Sequence, residues 1–334
     1  MDLNEVIKAK SFLKGQVVDT PMLDLSGSKV QPFISKSLET RMKLELFQHV
    51  GSFKSRGVLL AISALSEEQR RSGVIAFSAG NHALAVSWAS KSSKISAKVI
   101  MPKTADPFRV RGCVALGAEI LLAEDAEAGF ALMEQLAEKE NRQILHPFES
   151  DYMILGAATC GLEMIEAMPE MDIAIIPVGG GGLIAGISAA IKLVKPSVQV
   201  FGVEPYGADS MFQSFLEQRP MKIKKVNTIA DSLGAPMALP KSYNLAIKNV
   251  ESVVRLSEQE MIAAMSFIGE NLNLMVEPAC ASSLAAFNGP LAERVKNKRV
   301  ALIACGSNIS FEKYNELVSY KVKGIGEVGS RSCS

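Results

Sequence analysis

The sequence predicts two α/β domains with open, mostly parallel twisted sheets covered by helices. Length is the first observation: 334 residues is about twice the usual ~100–200 residues of one domain. Rhythm is the second. Short apolar runs alternate with helical stretches of roughly 10–15 residues in both halves, which is the pattern of βαβ units on a parallel sheet. Third, three of those runs lead directly into loops rich in glycine, serine or asparagine. Ligands of open α/β sheets sit beyond the carboxyl ends of strands, where such loops lie.

The elements follow in order. Val74-Ile75-Ala76-Phe77 is a strand run, continued by Ser78-Ala79-Gly80-Asn81 and a helix from His82 to about Ser90. Lys98-Val99-Ile100-Met101 is the next run, halted by Pro102, which has no N–H for a sheet ladder. A helix from about Pro107 to Leu116 stops at Gly117, Glu119-Ile120-Leu121-Leu122 follows, and a helix runs from about Ala126 to Glu140. Ile144-Leu145 closes the first series, and the division between halves falls near His146-Pro147. In the second half, the strand Ile173-Ala174-Ile175-Ile176-Pro177-Val178 passes through four glycines into a helix from Leu183 to Val194. Val198-Gln199-Val200-Phe201-Gly202-Val203 and Arg299-Val300-Ala301-Leu302-Ile303-Ala304 are later strands.

Composition excludes several classes. Apolar residues make up 48% and charged residues 21%, an ordinary globular balance with ample material for a core. Lysine plus arginine (36) nearly equals aspartate plus glutamate (35), so the basic excess of a nucleic-acid binder is missing. No apolar stretch reaches the ~18 residues of a membrane span, and the acidic start Met1-Asp2-Leu3-Asn4-Glu5 carries no signal core. The cysteines (113, 160, 280, 305 and 333) number five and form no close pair. Reduced thiols and a cytoplasmic location are the expectation.

Two segments carry chemistry. Gly179-Gly180-Gly181-Gly182 lies between a strand and a helix. Glycine lets the backbone approach a ligand closely, and a helix start offers free N–H groups and a positive dipole end, so the loop predicts an anion site, most naturally for phosphate. A Walker-type loop is excluded, because no Lys-Ser/Thr follows. A dinucleotide fingerprint stays open: Gly180-x-Gly182-x-x-Ala185 satisfies it, and Glu204 ends the next strand where a ribose-binding acid belongs. An NAD-type oxidoreductase is therefore a rival reading. The second segment is Gly51-Ser52-Phe53-Lys54-Ser55-Arg56-Gly57, at the start of a helix over about residues 52–65. The dipole there lowers the pKa of an amine, and a neutral amine is what Schiff-base chemistry needs. Taken alone, Lys54 reads better as a solvated surface lysine, which describes most of this chain's lysines.

Ser52-Phe53-Lys54-Ser55-Arg56-Gly57, Ser78-Ala79-Gly80-Asn81-His82-Ala83, Gly179-Gly180-Gly181-Gly182-Leu183 and Cys305-Gly306-Ser307-Asn308 occur in this order. In that order they resemble the pyridoxal-phosphate enzymes of the threonine/serine dehydratase and serine racemase family, with a tryptophan-synthase-β-like fold. The likeness runs from Thr20-Pro21 to about residue 315. Supporting pieces are His146-Pro147-Phe148, Gly202-Val203-Glu204-Pro205, Ile229-Ala230-Asp231 and Glu277-Pro278-Ala279.

The resemblance implies roles. Lys54 holds the cofactor as a Schiff base and later moves the α-proton. Phe53 packs on the pyridine ring, Asn81 meets its phenolic oxygen, and Cys305 faces its nitrogen. Gly179, Gly180, Gly181, Gly182 and Leu183 hold the phosphate. Ser78, Ala79, Gly80, Asn81 and His82 cradle the substrate carboxylate. A neutral thiol cannot stabilise a pyridinium as a carboxylate would, which favours prompt expulsion of a β-leaving group. The implied reaction is elimination from L-threonine or L-serine, giving a 2-oxo acid and ammonia. The alternatives are an amino-acid racemase, or a dehydratase of another β-hydroxy amino acid such as hydroxyaspartate or phenylserine. Racemases of the family resemble Ser-Ser-Gly-Asn-His; here Ala79 replaces the serine that donates the second proton, and alanine transfers none.

The family's divalent-metal pattern is matched by Glu204, Ala208 and Asp209, but Ser210 stands in place of the last carboxylate. A metal is thus expected to bind weakly if at all. Further expectations are a large domain of residues 1–47 and 149–320, a small mobile domain of residues 48–148, a flexible tail of residues 321–334, and a homodimer. No nucleic acid, membrane or regulatory-domain contact is expected.

Overall fold

The computed structural model describes residues 1–27 and 29–324. In chain order the elements are α1 (Leu3–Leu13), β1 (Met22–Asp24), α2 (Gln31–Ile34), β2 (Glu39–Lys43), α3 (Lys54–Ser63), α4 (Glu67–Ser72), β3 (Val74–Phe77), α5 (Asn81–Ser92), β4 (Ala97–Pro102), α6 (Pro107–Ala115), β5 (Glu119–Ala123), α7 (Ala126–Lys139) and β6 (Gln143–Ile144). Then come α8 (Asp151–Ala167), β7 (Ile173–Pro177), α9 (Gly182–Val194), β8 (Gln199–Pro205), α10 (Ser210–Glu217), α11 (Pro240–Asn249), β9 (Ser252–Leu256), α12 (Glu258–Leu272), α13 (Pro278–Asn288), β10 (Arg299–Ile303) and α14 (Phe311–Gly324). Helix α14 passes through the first residues of the expected tail; residues 325–334 lie outside the described residues.

Two sheets organise these elements. The first has six strands in the order β1-β2-β10-β7-β8-β9, parallel except for the β1–β2 pair. The second has four parallel strands in the order β5-β4-β3-β6. Strand β7 is central in its sheet and buried along its whole length, which is why its sequence is a continuous apolar run instead of an alternating one. Leu302 of β10 pairs with Ile175 of β7 on one side and Met42 of β2 on the other. One apolar core surrounds the six-stranded sheet, built from residues such as Met42, Ile175, Ile187, Phe287 and Leu302. The four-stranded sheet carries a core on each face: Val74, Ala76, Val58 and Val86 on one, Ile75, Ile100 and Met133 on the other. That split follows the two-residue period of β3.

Local signals set the helix starts. Asp125 accepts from the Ala128 N–H at the head of α7, and Asp106 accepts from the Phe108 N–H with Pro107 at the first position of α6. The loops that follow β3, β7 and β10 all open at carboxyl ends of strands, as the sequence predicts. Among the described residues no helix is long and apolar enough to cross a membrane.

Candidate active site

Lys54 is the first residue of α3, and Phe53 precedes it as the cap. The segment is anchored on the loop after β10: the Phe53 N–H donates to the Cys305 carbonyl at 3.3 Å, and Ser52 pairs with Gly306 as an isolated antiparallel bridge. The Lys54 Nζ donates to the Pro147 carbonyl and lies 5.1 Å from the Phe53 ring centroid. Burial pulls the amine down to about 8, against a smaller opposing effect from Cys305. The direction matches the sequence reading, but desolvation is the dominant cause, ahead of any helix dipole. Burial also pushes the Cys305 thiol well above its ordinary range, so it sits as a neutral thiol.

The glycine loop joins β7 to α9. Gly181 has φ +89°, a backbone that L side chains rarely adopt. A Cβ on Gly180 would enter the Phe148 ring, and a Cβ on Gly181 would lie 2.6 Å from Met211 Cε. The loop is therefore a shaped concavity at a helix start, with Leu183 buried behind it. Its unpaired first-turn N–H groups and the dipole suit a phosphate. Gly181→Ala is expected to weaken pyridoxal-phosphate binding by about 10–100-fold and to lower the melting temperature, because it combines an αL penalty with a backbone shift. Spectral titration of the apoprotein with the cofactor measures the first effect, and unchanged affinity would remove the loop from the site.

Asn81 opens α5 and is buried. Its Nδ2 donates to Glu277 Oε1 at 2.8 Å and reaches Ser232 Oγ at 3.3 Å, while its Oδ1 accepts from Asn308 Nδ2 at 2.6 Å. Ser78 Oγ accepts from the Gly80 N–H at 3.2 Å, which folds the Ser78-Ala79-Gly80 turn. The His82 ring makes a 2.8 Å hydrogen bond with the Leu145 carbonyl. Burial, with Lys54 as a secondary cause, lowers its pKa to about 3. This imidazole is a neutral structural group turned toward β6, so any contribution to a carboxylate site comes from the main-chain N–H.

A ring of contacts draws the four motifs together. Pro147 touches Lys54, Phe148 covers Gly180 and Gly182, Ser232 lies against Gly179 and reaches Asn81, and Glu277 links Asn81 to Gly306. A reactive amine, an anion cradle, an amide and a neutral thiol meet at the carboxyl edges of both sheets. Sequence reasoning missed Arg109, which carries no pattern signal on α6, and left Asp231, Glu277 and Phe148 as supporting pieces without roles.

The dinucleotide reading fails on Glu204. Its carboxylate faces the start of α10, accepting from the Met211 N–H at 3.0 Å and the Phe212 N–H at 2.7 Å, and it is buried away from any ribose. The same geometry argues against a divalent metal at Glu204 and Ala208. Both Glu204 oxygens are committed, and Asp209 pairs with Arg255 at 2.9 Å. The donor set does not fit a hard cation, which wants several free oxygen ligands. Among the described residues no group of three or more His, Cys, Asp or Glu side chains is placed to hold one.

Comparison with known proteins agrees with this geometry. The chain is 42% identical over 307 residues to phenylserine dehydratase of Ralstonia pickettii, covering 92% of this chain and 93% of that one. It is 34% identical to L-threonine ammonia-lyase of Thermotoga maritima, covering 98% of this chain and 80% of the relative. Maize serine racemase superposes with a TM-score of 0.88 at 30% identity, over 97% of this chain and 98% of that chain. A family model described as pyridoxal-phosphate dependent enzyme matches residues 14–306, a span that contains the amine, the glycine cradle, the Asn81 loop and the buried thiol, and the chain belongs to that family.

Proposed function

We propose that the chain is a pyridoxal-phosphate-dependent ammonia-lyase that removes the β-hydroxyl of a β-hydroxy L-amino acid, releasing a 2-oxo acid and ammonia. The Lys54 amine carries this reading: it is desolvated, has a pKa near 8, and sits within a ring formed by the glycine cradle, Asn81 and Cys305. Bound there, the cofactor supplies an electron sink for the charge left at Cα. The protein's own groups supply the rest. Lys54 and the glycine cradle hold the cofactor, with Phe53 and Leu183 packed beside it. The main-chain donors at the start of α5 and the Ser78 hydroxyl orient the substrate carboxylate. The Lys54 amine, once released, takes the Cα proton. The Cα proton and the β-hydroxyl together would leave as one water, and addition of water to the released enamine would give the oxo acid and ammonia.

The neutral Cys305 thiol offers no carboxylate to stabilise a pyridinium, so when the cofactor is bound this setting would favour prompt loss of the β-leaving group. Ala79 leaves the opposite face without a side-chain proton donor. Residues 48–148 are read as the small domain that closes over the substrate and excludes water, and residues 1–47 with 149–320 as the large one. By analogy with the family, the enzyme works as a cytoplasmic homodimer.

Threonine and serine lead the sequence reading, and the 42% identity to phenylserine dehydratase brings phenylserine level with them. The test is a panel of L-threonine, L-serine, L-threo-3-phenylserine and threo-3-hydroxyaspartate, scored by 2-oxo acid release. Turnover of at least one of the first three is expected. D-serine as the main product from L-serine, or no oxo acid from any of the four, would overturn the reading.

A further inference from the structure

Glu277 caps the start of α13 and is 1% exposed. Its Oε1 accepts from Asn81 Nδ2 at 2.8 Å. Its Oε2 is buried without a hydrogen-bond partner, and Nη2 of Arg109 lies 3.6 Å from it. Arg109 comes from α6, on the four-stranded sheet, and is 5% exposed. Its Nε donates to the Asn308 carbonyl at 2.9 Å, and its Nη1 and Nη2 donate to the Asp231 carboxylate. Asp231 opens the short turn of residues 231–233, which lies with α13 on the other side of the cleft. Asn308 closes the circuit, since its Nδ2 donates both to Asn81 Oδ1 and to the Val50 carbonyl.

This arrangement fixes the Asn81 amide. Its oxygen is committed to Asn308 and one N–H to Glu277. The other N–H has only the 3.3 Å contact with Ser232, which makes it the free donor on the site's side. A buried carboxylate without a cation nearby would give up its charge, and the cation here is supplied by the opposite sheet unit.

We propose that Glu277 is a positioning residue for Asn81, and that Arg109 is the cation that draws Glu277 toward its charged form against the effect of burial. The carboxylate holds one Asn81 N–H so that the other points at an oxygen of cofactor or substrate. This rests on the pyridoxal-phosphate reading of the site. Burial raises Glu277 to about 7, with Arg109 pulling down and Asp231 pushing up. Cys280 on α13 and Cys305 after β10 also face it, both with raised pKa, so both are neutral. Among the groups facing Glu277 the carboxylate itself titrates near neutrality, while the Lys54 amine beyond Cys305, at about 8, titrates higher, so the two limbs are distinct.

The experiment compares wild type with Glu277→Gln, Arg109→Gln and Arg109→Lys as cofactor-loaded enzymes. It uses whichever panel substrate the wild type turns over. Glu277→Gln is expected to keep the lysine-linked cofactor and a KM near wild type, to lose about 10–100-fold in kcat, and to lose the limb of the kcat profile near pH 7. Arg109→Gln is expected to move that limb to higher pH, and Arg109→Lys to bring it back. If Glu277→Gln fails to fold, the two Arg109 variants decide.

A second readout uses the apoprotein. A carboxyl raised from 4.5 to about 7 in the folded state costs stability as pH rises through that window. The melting-temperature difference between wild type and Glu277→Gln should therefore shift against the wild type from about pH 5 to about pH 7. A lower melting temperature with an unchanged kcat and an unchanged pH limb would overturn the proposal and leave Glu277 a structural residue. A limb that stays put in Arg109→Gln would do the same for Arg109. Failure of the underlying cofactor reading looks different: the wild type itself would carry no lysine-linked cofactor.

Discussion

Replacing Lys54 by alanine is expected to reduce oxo-acid formation by roughly 10⁴-fold or more, because one substitution removes both the covalent anchor and the base. The protein should still fold. Lys54 is only part-buried at the head of α3, and its Nζ has a single backbone partner, the Pro147 carbonyl. The spectral signature is more diagnostic than the rate. Wild-type protein treated with borohydride should retain the cofactor on the peptide bearing Lys54, whereas the variant should bind it reversibly and lose it on dialysis. Label fixed at any other lysine would place the chemistry elsewhere. The glycine cradle does not depend on Lys54, so residual non-covalent binding in the variant is part of the expected result.

Arg56→Met is expected to have the largest effect on stability. Arg56 is 0% exposed and sits between two carboxylates. Its Nε and Nη2 donate to Glu45 at 2.8 Å, and its Nη1 and Nη2 donate to Glu163 at 2.7 and 2.8 Å. Lys43 pairs with Glu163 at 2.7 Å and donates to the Thr20 carbonyl at 2.6 Å, while the Thr20 hydroxyl donates to Glu45. The cluster balances two cations against two anions with little water to share the load. Removing one cation leaves a buried, uncompensated carboxylate, which costs about 3–5 kcal/mol, or a fall in melting temperature on the order of 10 °C.

The pH dependence identifies the cause. Burial is the largest single influence on the Glu45 carboxyl and would raise it, but the charge and hydrogen bond of Arg56, with smaller help from Lys43 and the Thr20 hydroxyl, together hold it below its ordinary 4.5. In the wild type the stability this pairing contributes is present above pH 4.5 and is lost as pH falls through the lowered value. Without Arg56 the carboxyl rises and is protonated at mild acidity. The gap between wild type and variant should therefore be wide at pH 8 and narrow toward pH 5. A gap that is constant with pH would mean that packing, not charge, is what was lost.

Much of the fold is legible in the sequence. Strands β3, β4, β5, β7, β8 and β10 are runs of apolar residues bounded by glycine or proline; in the inner strands, such as β3 and β7, that mark comes from burial on both faces, whereas β5 is a partly exposed edge strand. What escapes has a physical reason. Strands β1 and β2 lie at and beside a sheet edge, and β2 (Glu39-Thr40-Arg41-Met42-Lys43) has only Met42 as an apolar residue, so nothing in it stands out as a strand. Strand β9 carries Arg255 within its five residues. The insertion of β10 between β2 and β7 has no local signal at all, since strand order is decided by which faces bury together. The site divides along the same line. Lys54, the four glycines and Asn81 stand in recognisable strings, whereas Arg109 and Glu277 matter only because folding brings α6 and α13 to the same amide. The direction of Glu204 was likewise invisible, because a strand-end glutamate can face a ligand or a helix start with the same sequence around it.

Lys54 and the carbonyl it binds, Pro147, stand on either side of the four-stranded sheet in sequence, Lys54 at the start of α3, which leads through α4 into β3, and Pro147 shortly after β6. The reactive amine is thus tethered across the two strands of chain that join the sheet units. On the proposed reading of a small domain that closes over the site, any relative rotation of those units would bear on this contact. A fluctuation that parts the cleft therefore wets the amine and loosens its anchor in the same movement, returning it toward the basicity of an ordinary lysine. On the proposed function, the amine would be a ready proton acceptor only while water is shut out, so enclosure and proton transfer would be linked through the chain's own connectivity.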